Sequence, residues 1–258
     1  MLAEGLRADG WFLRSEITWC KKSPMPESVT DRPTCATEKI FLLSKSASYY
    51  YDAFAVRQPY SEATLPESLP GWEQSGAQSP SDTKRRIIAG LERNGGANLR
   101  NFWLLGPEPY LDAHFATFVS EIPRRAIMAG TSARGVCPEC GEPWFRVVEK
   151  SGGTIGKGSW VDHDLDDEQG KSQPSGSRAD GSDKDGNQVR TIGWASGCTC
   201  APLDPIPATV LDCFGGVMTT ACVAMELGRS SVMIELSPAY IELGKLRLAN
   251  ITPGLTLA

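Results

Sequence analysis

The pattern of apolar and polar positions predicts mixed helix and strand structure in the first half of the chain. Residues 10–19 are aromatic and β-branched, and residues 39–45 form a short apolar run, so both stretches are typical of strands. Prolines within residues 21–33 predict a loop between them. Further along, residues 119–130 place apolar side chains on one side, which predicts a helix with Gly130 in the position after its end.

Residues 208–250 carry the most regular pattern. Short apolar runs alternate with small-residue and charged stretches at the spacing of a β-α-β-α unit. Ser237 and Pro238 suit the N-cap and the first position of a helix. The pattern predicts a strand, a glycine turn, a helix, a second strand and a second helix, over residues 208–211, 215–216, 219–227, 231–234 and 237–249.

Two polar regions lie between these patterned stretches. Residues 57–100 are interrupted by four prolines and include a candidate basic helix at 81–92. We interpret this region as a mobile, partner-facing segment, with a plain surface loop as the alternative. Residues 151–193 are rich in Gly, Ser, Asp and Lys, a composition that predicts a flexible insertion.

Composition adds few constraints. The 258 residues are 41% hydrophobic and 22% charged, which is typical of a soluble globular protein. No run of 18 apolar residues is present and the start has no signal-peptide pattern, so we expect no membrane span and a cytoplasmic location. The net charge of −5 argues on its own against a nucleic-acid partner, but basic clusters such as residues 84–86 can form a basic face.

Two acidic residues mark the predicted strand ends in the β-α-β-α unit. Asp212 follows the first strand, and Glu235 follows the second, 23 positions later. An acid at this distance from a glycine turn is suited to accept hydrogen bonds from ribose hydroxyls. Asp212 would repel a pyrophosphate but suits the cationic methionine end of S-adenosylmethionine, so we favour that cofactor. A dinucleotide, as in a nicotinamide-dependent oxidoreductase, and a purely structural turn remain the alternatives.

Four of the eight cysteines form two close pairs that suggest a metal site. These are Cys137 with Cys140, and Cys198 with Cys200. A Cys-x-x-Cys turn presents two sulfurs to one tetrahedral zinc, and the Cys-x-Cys pair can complete the shell. Such a zinc would be structural and would fix the base of the loop over residues 141–197. Unligated cysteines and a redox pair are the alternatives.

Several stretches resemble one family, the DNA amino-methyltransferases that act on adenine N6 or cytosine N4. Residues 210–220 resemble its cofactor motif, Asp-Pro-Phe-x-Gly-Ser-Gly-Thr-Thr, and residues 233–240 resemble its ribose-binding motif. Residues 113–118 resemble the motif around the methionine end of the cofactor. The resemblance implies S-adenosylmethionine binding by Asp212, Phe214, Gly215, Gly216, Thr219, Thr220, Glu235, His114, Phe115, Ala116 and Thr117.

The chain departs from this family's pattern at its catalytic step. Residues 9–14 and 24–33 resemble the region after the catalytic motif, in the β-type motif order, but no Asp-Pro-Pro or Ser-Pro-Pro occurs anywhere. The catalytic residues are therefore unknown. Cys213 replaces the proline of the cofactor motif, and Met218 replaces its last glycine, where a side chain is expected to crowd the turn against the cofactor.

The combined prediction is a permuted, Rossmann-like α/β methyltransferase fold with a small zinc-binding insertion. The predicted domains are residues 1–133 with a target-recognition segment at 53–100, the zinc-knuckle insertion at 134–203, and the cofactor-binding part at 204–258. The resemblance implies methylation of adenine or cytosine amines in DNA, within restriction-modification or as a phage or orphan methylase, in a form that lacks the catalytic motif. An inactive remnant that binds DNA or cofactor is the main alternative, and an RNA or protein methyltransferase is another.

Double-stranded DNA is the expected partner, and a homodimer is left open. Basic side chains are the expected contacts to the DNA backbone, because phosphates attract them. We assign this role to Lys21, Lys22, Arg32, Arg85 and Arg86.

Overall fold

The computed structural model describes residues 2–59, 96–106, 108, 118–151, 188–200 and 203–253. The chain divides into two compact units. The first comprises Met1–Gln58, Asn98–Val147 and Gly193–Ala258, and the second comprises Pro59–Ala97 and Val148–Ile192. Within the described ranges, no helix has the length and apolar character needed to cross a membrane.

The described elements make this an α/β protein. In chain order they are α1 (Leu2–Ala8), β1 (Phe12–Lys21), β2 (Thr37–Ser44), β3 (Phe102–Leu105), α2 (Glu121–Gly130), β4 (Trp144–Ser151), β5 (Gln188–Ser196), β6 (Thr209–Asp212), α3 (Thr219–Glu226), β7 (Ser230–Met233) and α4 (Pro238–Ala249). Every patterned stretch that lies in described residues forms its predicted element. Gly130 is the last residue of α2 rather than the residue beyond it, and Thr131 is the C-cap.

A three-stranded sheet is built around β1. This strand pairs antiparallel with β2, with an irregularity between Leu13 and Ser15, and parallel with β3. Trp19 of β1 lies in register with Trp103 of β3, and both side chains are buried. The sequence pattern does not predict β3, because four residues are too few to reveal a period.

A parallel pair of strands, β6 and β7, forms the second sheet of the first unit. Helix α3 connects them, and the strands run in register from Thr209 beside Ser230 to Asp212 beside Met233. A small core joins α2 to α3, because Ile127 packs with Val223 and Ala224. Val210 of β6 packs against this core, so β6 and α2 share one apolar contact region.

Strands β4 and β5 pair with each other between the two cysteine pairs of the predicted metal site: β4 follows Cys140, and β5 precedes Cys198. Residues 188–193 belong to β5, so this end of the predicted flexible insertion is a regular strand. The physical reason is strand pairing together with β-branched residues such as Val189, Thr191 and Ile192, which favour strands. The rest of the predicted insertion, residues 152–187, lies outside the described residues.

A buried ion pair joins three parts of the first unit. Asp52 accepts a hydrogen bond from Arg146 Nε and forms an ion pair with Arg146 Nη2, each at 2.9 Å, and both side chains are largely shielded from solvent. The Asp52 backbone N–H donates to Ala129 O at 2.8 Å, at the end of α2. The Arg146 guanidinium also stacks on Trp194 of β5, 4.4 Å from the ring centroid. This pair therefore connects the segment after β2, the end of α2 and the β4–β5 pair.

Removing one partner of this pair should strongly destabilise the protein. Asp52→Ala would leave the Arg146 charge buried without its carboxylate, and we expect the free energy of unfolding to fall by about 3–5 kcal/mol. Glu16→Ala is the control, because the Glu16–Lys39 pair is about half exposed and should contribute less than about 1 kcal/mol. Urea unfolding measures both, and equal losses would contradict this account.

Candidate functional site

Asp212 ends strand β6 and organises the turn that follows. Its Oδ1 accepts a hydrogen bond from the Phe214 backbone N–H at 2.9 Å, and its Oδ2 accepts one from Thr220 Oγ1 at 2.6 Å. Thr219 and Thr220 are buried in the first turn of α3. The carboxylate therefore fixes both ends of the turn, at the carboxyl edge of a parallel sheet where ligands bind in α/β folds.

Glu235 plays the matching part after strand β7. Its Oε2 accepts from the Gly216 N–H and its Oε1 accepts from the Ser237 N–H, each at 2.8 Å. These N–H donors, Ser237 foremost and then Gly216, lower the pKa of the Glu235 carboxyl below its ordinary value. The group is therefore ionised near neutral pH, and each oxygen keeps capacity for a further hydrogen bond from a ligand hydroxyl.

The glycine turn between these two acids is tightly packed behind and exposed in front. Gly215 N–H donates to Ile234 O at 2.8 Å, and a Cβ at Gly215 would lie 3.2 Å from Met233 Cβ. Gly216 has a φ of 52°, a conformation that favours glycine. Phe214 is 88% exposed beside the turn, so an aromatic face is available to a ligand.

Met218, which stands where the family's cofactor motif has glycine, takes a left-handed conformation with φ 64° and ψ 31°. Its side chain is buried against helix α4, where Gly244 leaves space for it, and its Sδ lies 3.4 Å from the position that a Cβ would take at Gly215. Crowding of the turn against the cofactor stays a prediction. A Cβ at Gly244 would lie only 2.1 Å from Met218 Cγ. The methionine is thus accommodated by a glycine on the neighbouring helix.

The four paired cysteines converge on one point. The sulfurs of Cys137, Cys140, Cys198 and Cys200 all lie within 4.8 Å of one another. Gly141, with a φ of 75°, closes the first loop by donating its N–H to Cys137 O at 2.9 Å. Four sulfurs at about 2.3 Å from a central zinc would be about 3.8 Å apart, so the cluster suits a tetrahedral ion.

Hydrogen bonds in and around the cluster shift the pKa values of two of its thiols in opposite directions. Hydrogen bonding by the Ser196 hydroxyl, helped by the Cys200 backbone, lowers the pKa of Cys198 to about 7. Hydrogen bonding with the Cys140 thiol raises the pKa of Cys200 to about 12. The two loops meet closely at Gly197, where a Cβ would lie 2.5 Å from Pro143 O and 2.7 Å from Phe145 Cε2.

The remaining predicted site residues are only partly placed. His114, Phe115, Ala116, Thr117, Arg85 and Arg86 lie outside the described residues. Lys21 pairs with Glu38 at 2.5 Å and Arg32 pairs with Glu27 at 3.0 Å, so both predicted DNA contacts have acidic partners within the chain. The Lys22 stem lies near Gly106.

One site residue was missed by the sequence reasoning. Arg247 of α4 donates from Nη1 to Val217 O at 2.9 Å and to Thr219 Oγ1 at 3.0 Å. A single arginine on a predicted helix gives no signal of this contact, because the partners belong to a different element.

Comparison with known proteins gives a family match over the first half of the chain. A family model described as DNA methylase matches residues 3–137, so the turn between Asp212 and Glu235 lies beyond the matched range. The chain is 39% identical over 130 residues to Type II methyltransferase M.Cfr9I of Citrobacter freundii, and 36% identical over 134 residues to Type II methyltransferase M.SmaI of Serratia marcescens.

The chain spans about a third of the length of these relatives. The matches cover 50% and 52% of this chain but 33% and 36% of the relatives. Among solved structures, the chain is similar to PvuII DNA methyltransferase (cytosine-N4-specific), with a TM-score of 0.45 and 16% sequence identity. That match covers 97% of this chain and 57% of the other.

The close approach at Gly197 predicts a sharp sensitivity to substitution. Gly197→Ala would force backbone and side-chain atoms apart, and we expect the free energy of unfolding to fall by about 1–3 kcal/mol. Gly193→Ala, on strand β5 four residues before Gly197, is the control because a Cβ there meets nothing within 4 Å. Thermal or urea unfolding compares the two variants. If Gly197→Ala is as stable as the control, the two loops do not meet as described.

Proposed function

Since the chain belongs to the DNA methylase family, we propose that it binds S-adenosylmethionine where strands β6 and β7 end. The cofactor would serve methylation of an exocyclic amine, adenine N6 or cytosine N4, in double-stranded DNA. This activity would belong to a restriction-modification system or to a phage or orphan methylase. A permuted, Rossmann-like fold with a zinc-binding insertion is the architecture that accompanies this proposal.

One observation carries the choice of cofactor. The backbone N–H groups of Phe214 and Gly216 are bound by the carboxylates of Asp212 and Glu235. A dinucleotide needs such turn N–H groups for its pyrophosphate, and two carboxylates beside the turn would also repel it. A cationic ligand with ribose hydroxyls faces neither obstacle. S-adenosylmethionine has both features.

The residues of this chain would orient the cofactor rather than react. Glu235 would accept hydrogen bonds from the ribose hydroxyls, and Asp212 would attract the methionine ammonium group. Phe214 offers an apolar surface, and residues 114–117 are proposed around the methionine end. When bound, the cofactor supplies a methyl group on a cationic sulfur.

A second candidate function rests on a missing signature. The sequence contains no Asp-Pro-Pro or Ser-Pro-Pro, the motif by which the resembled family holds the target amine. Orientation of a reacting group contributes several kcal/mol to a rate, so its loss can abolish measurable transfer. The alternative is therefore a protein that binds cofactor or DNA without transferring the methyl group.

DNA contacts are proposed for Lys21, Lys22, Arg32, Arg85 and Arg86. The ion pairs of Lys21 with Glu38 and of Arg32 with Glu27 are partly exposed to solvent. Exposed pairs contribute little stability, so these cations can exchange a carboxylate for a phosphate at small cost.

We also propose that the four cysteines bind one structural zinc ion. Four thiolates form a closed shell without an open position, so the ion would stabilise the fold and take no part in methyl transfer. The ion would lie just before β4 and just after β5, and it would hold together the two ends of the segment over residues 141–197.

Cofactor binding should depend on Glu235. We expect Glu235→Gln to weaken S-adenosylmethionine binding about tenfold or more, because a charged hydrogen bond contributes about 1.5–3 kcal/mol. Glu242→Gln is the control, since Glu242 is exposed on α4, where it pairs with Lys245 at 2.8 Å. Titration calorimetry measures both variants. Equal affinities would remove Glu235 from the site.

A transfer assay separates the two candidate functions. The protein is incubated with zinc, S-adenosylmethionine labelled on its methyl group, and unmethylated DNA of mixed sequence. Label in the DNA would establish methyl transfer by this chain. Cofactor binding without label would favour the binding protein, and absence of both would contradict the proposed function.

Zinc binding should require the cluster and no other cysteine. We expect about one zinc per chain by elemental analysis, loss of that zinc in Cys140→Ser, and a lower melting temperature after chelation. Cys35→Ser is the control, because Cys35 is exposed and lies outside the cluster. Full zinc content in Cys140→Ser would overturn the proposed site.

A further inference from the structure

The turn between β6 and α3, residues 213–218, is called the cofactor turn here after the proposed function. Helix α4 contacts it at two positions that the family motifs do not include. Gly244 receives the side chain of Met218, and Arg247 holds Val217 O and Thr219 Oγ1. Positions three apart lie on the same side of a helix, so both contacts come from one face of α4. The helix therefore touches the residues at which the glycine turn becomes helix α3.

Met218 is the strained residue at this junction. Among the described non-glycine residues, it alone has a positive φ. Three neighbours hold it: its N–H donates to Gly215 O at 2.8 Å, its carbonyl accepts from Cys222 N–H at 2.9 Å, and its side chain is buried against Gly244. A backbone in a rarely populated conformation persists only where its surroundings fix it, which is common at functional sites.

The same helix also begins at the second acid of the site. Ser237, its N-cap, donates its backbone N–H to Glu235 Oε1, while Glu235 Oε2 accepts from Gly216. The N-terminal end of α4 is thus connected to the front of the turn through Glu235. Gly244 and Arg247 contact the turn from behind. One rigid helix spans both sides of a turn that contains two consecutive glycines.

We propose that α4 positions the cofactor turn, with Arg247 and the Met218–Gly244 contact as its positioning residues. They set cofactor affinity by holding the turn, and with it the Glu235 carboxylate, in the binding arrangement before the ligand arrives. This inference rests on the proposed S-adenosylmethionine site. Residues on the rear face of the turn, which need not touch the ligand, thereby control the affinity.

The size relation between Met218 and Gly244 gives the first test. Gly244→Ala should destabilise the protein, because its methyl group would overlap the Met218 side chain. Met218→Gly removes that side chain, so the double variant should recover much of the lost stability. We expect the double variant to fold but to bind S-adenosylmethionine about tenfold more weakly, because the turn has lost its anchor. Gly130→Ala is the control, as its Cβ would meet nothing within 4 Å.

Arg247 gives the second test, with a control on the same helix. Arg247→Met should weaken S-adenosylmethionine binding about tenfold at a temperature where the variant is fully folded, and Arg247→Lys should restore part of the affinity. Lys245→Met is the control, because Lys245 is mostly exposed and pairs with Glu242. Wild-type affinity in both the folded double variant and Arg247→Met would overturn the proposal.

Amide hydrogen exchange tests the same positioning without any cofactor. We expect the Gly216 and Met218 amides to exchange about tenfold faster in Arg247→Met than in wild type, while amides of β1 stay unchanged. If the wild-type protein binds no cofactor, the proposed function fails and this measurement still decides whether α4 holds the turn. Unchanged exchange at both amides would overturn the inference.

Discussion

The buried pair between Asp52 and Arg146 is the interaction on which the rest of the first unit depends. A charged group removed from water needs a partner of opposite charge close to it. Here the Asp52 carboxylate is that partner for the Arg146 guanidinium, and the guanidinium is that partner for the carboxylate. Arg146 lies on β4, which starts next to the cysteine cluster, and Asp52 is bonded to the end of α2. The Ser132 hydroxyl reinforces this junction by donating to Trp144 O at 2.6 Å.

From this junction a continuous series of contacts leads to the cofactor turn. Arg229 donates from Nε to Thr131 Oγ1 at 3.0 Å, and its guanidinium also holds the carbonyl of Leu227 after α3. Ile127 and Val223 pack between α2 and α3. Helix α3 then begins at the threonines that Asp212 and Arg247 hold. The cysteine cluster and the turn therefore belong to the same packed unit. A metal bound by the cysteines would stabilise that unit, and with it the elements that hold the turn.

Sequence predicted best where structure is local. Residues 208–250 form their predicted elements nearly to the residue, because a glycine turn, a Ser-Pro helix start and short apolar runs act within a few positions. Strand β3, the strand β5 within the predicted insertion, and the Asp52–Arg146 pair depend on partners far along the chain. The position of Met218 is the clearest case. The sequence alone does not show where the Met218 side chain packs, because its neighbour Gly244 lies 26 positions further along the chain.

Cofactor binding and amine orientation are separate physical requirements, and the described residues bear on the first. Asp212 and Glu235 offer negative charge and hydrogen-bond acceptors, which are the features that the proposed cationic nucleoside requires. Attack on the methyl group also requires the amine lone pair to face it, and a misplaced amine loses much of the rate. Affinity for the proposed cofactor would therefore be no measure of methyl transfer. A tightly held cofactor without an oriented amine would leave the methyl donor bound and unreacted.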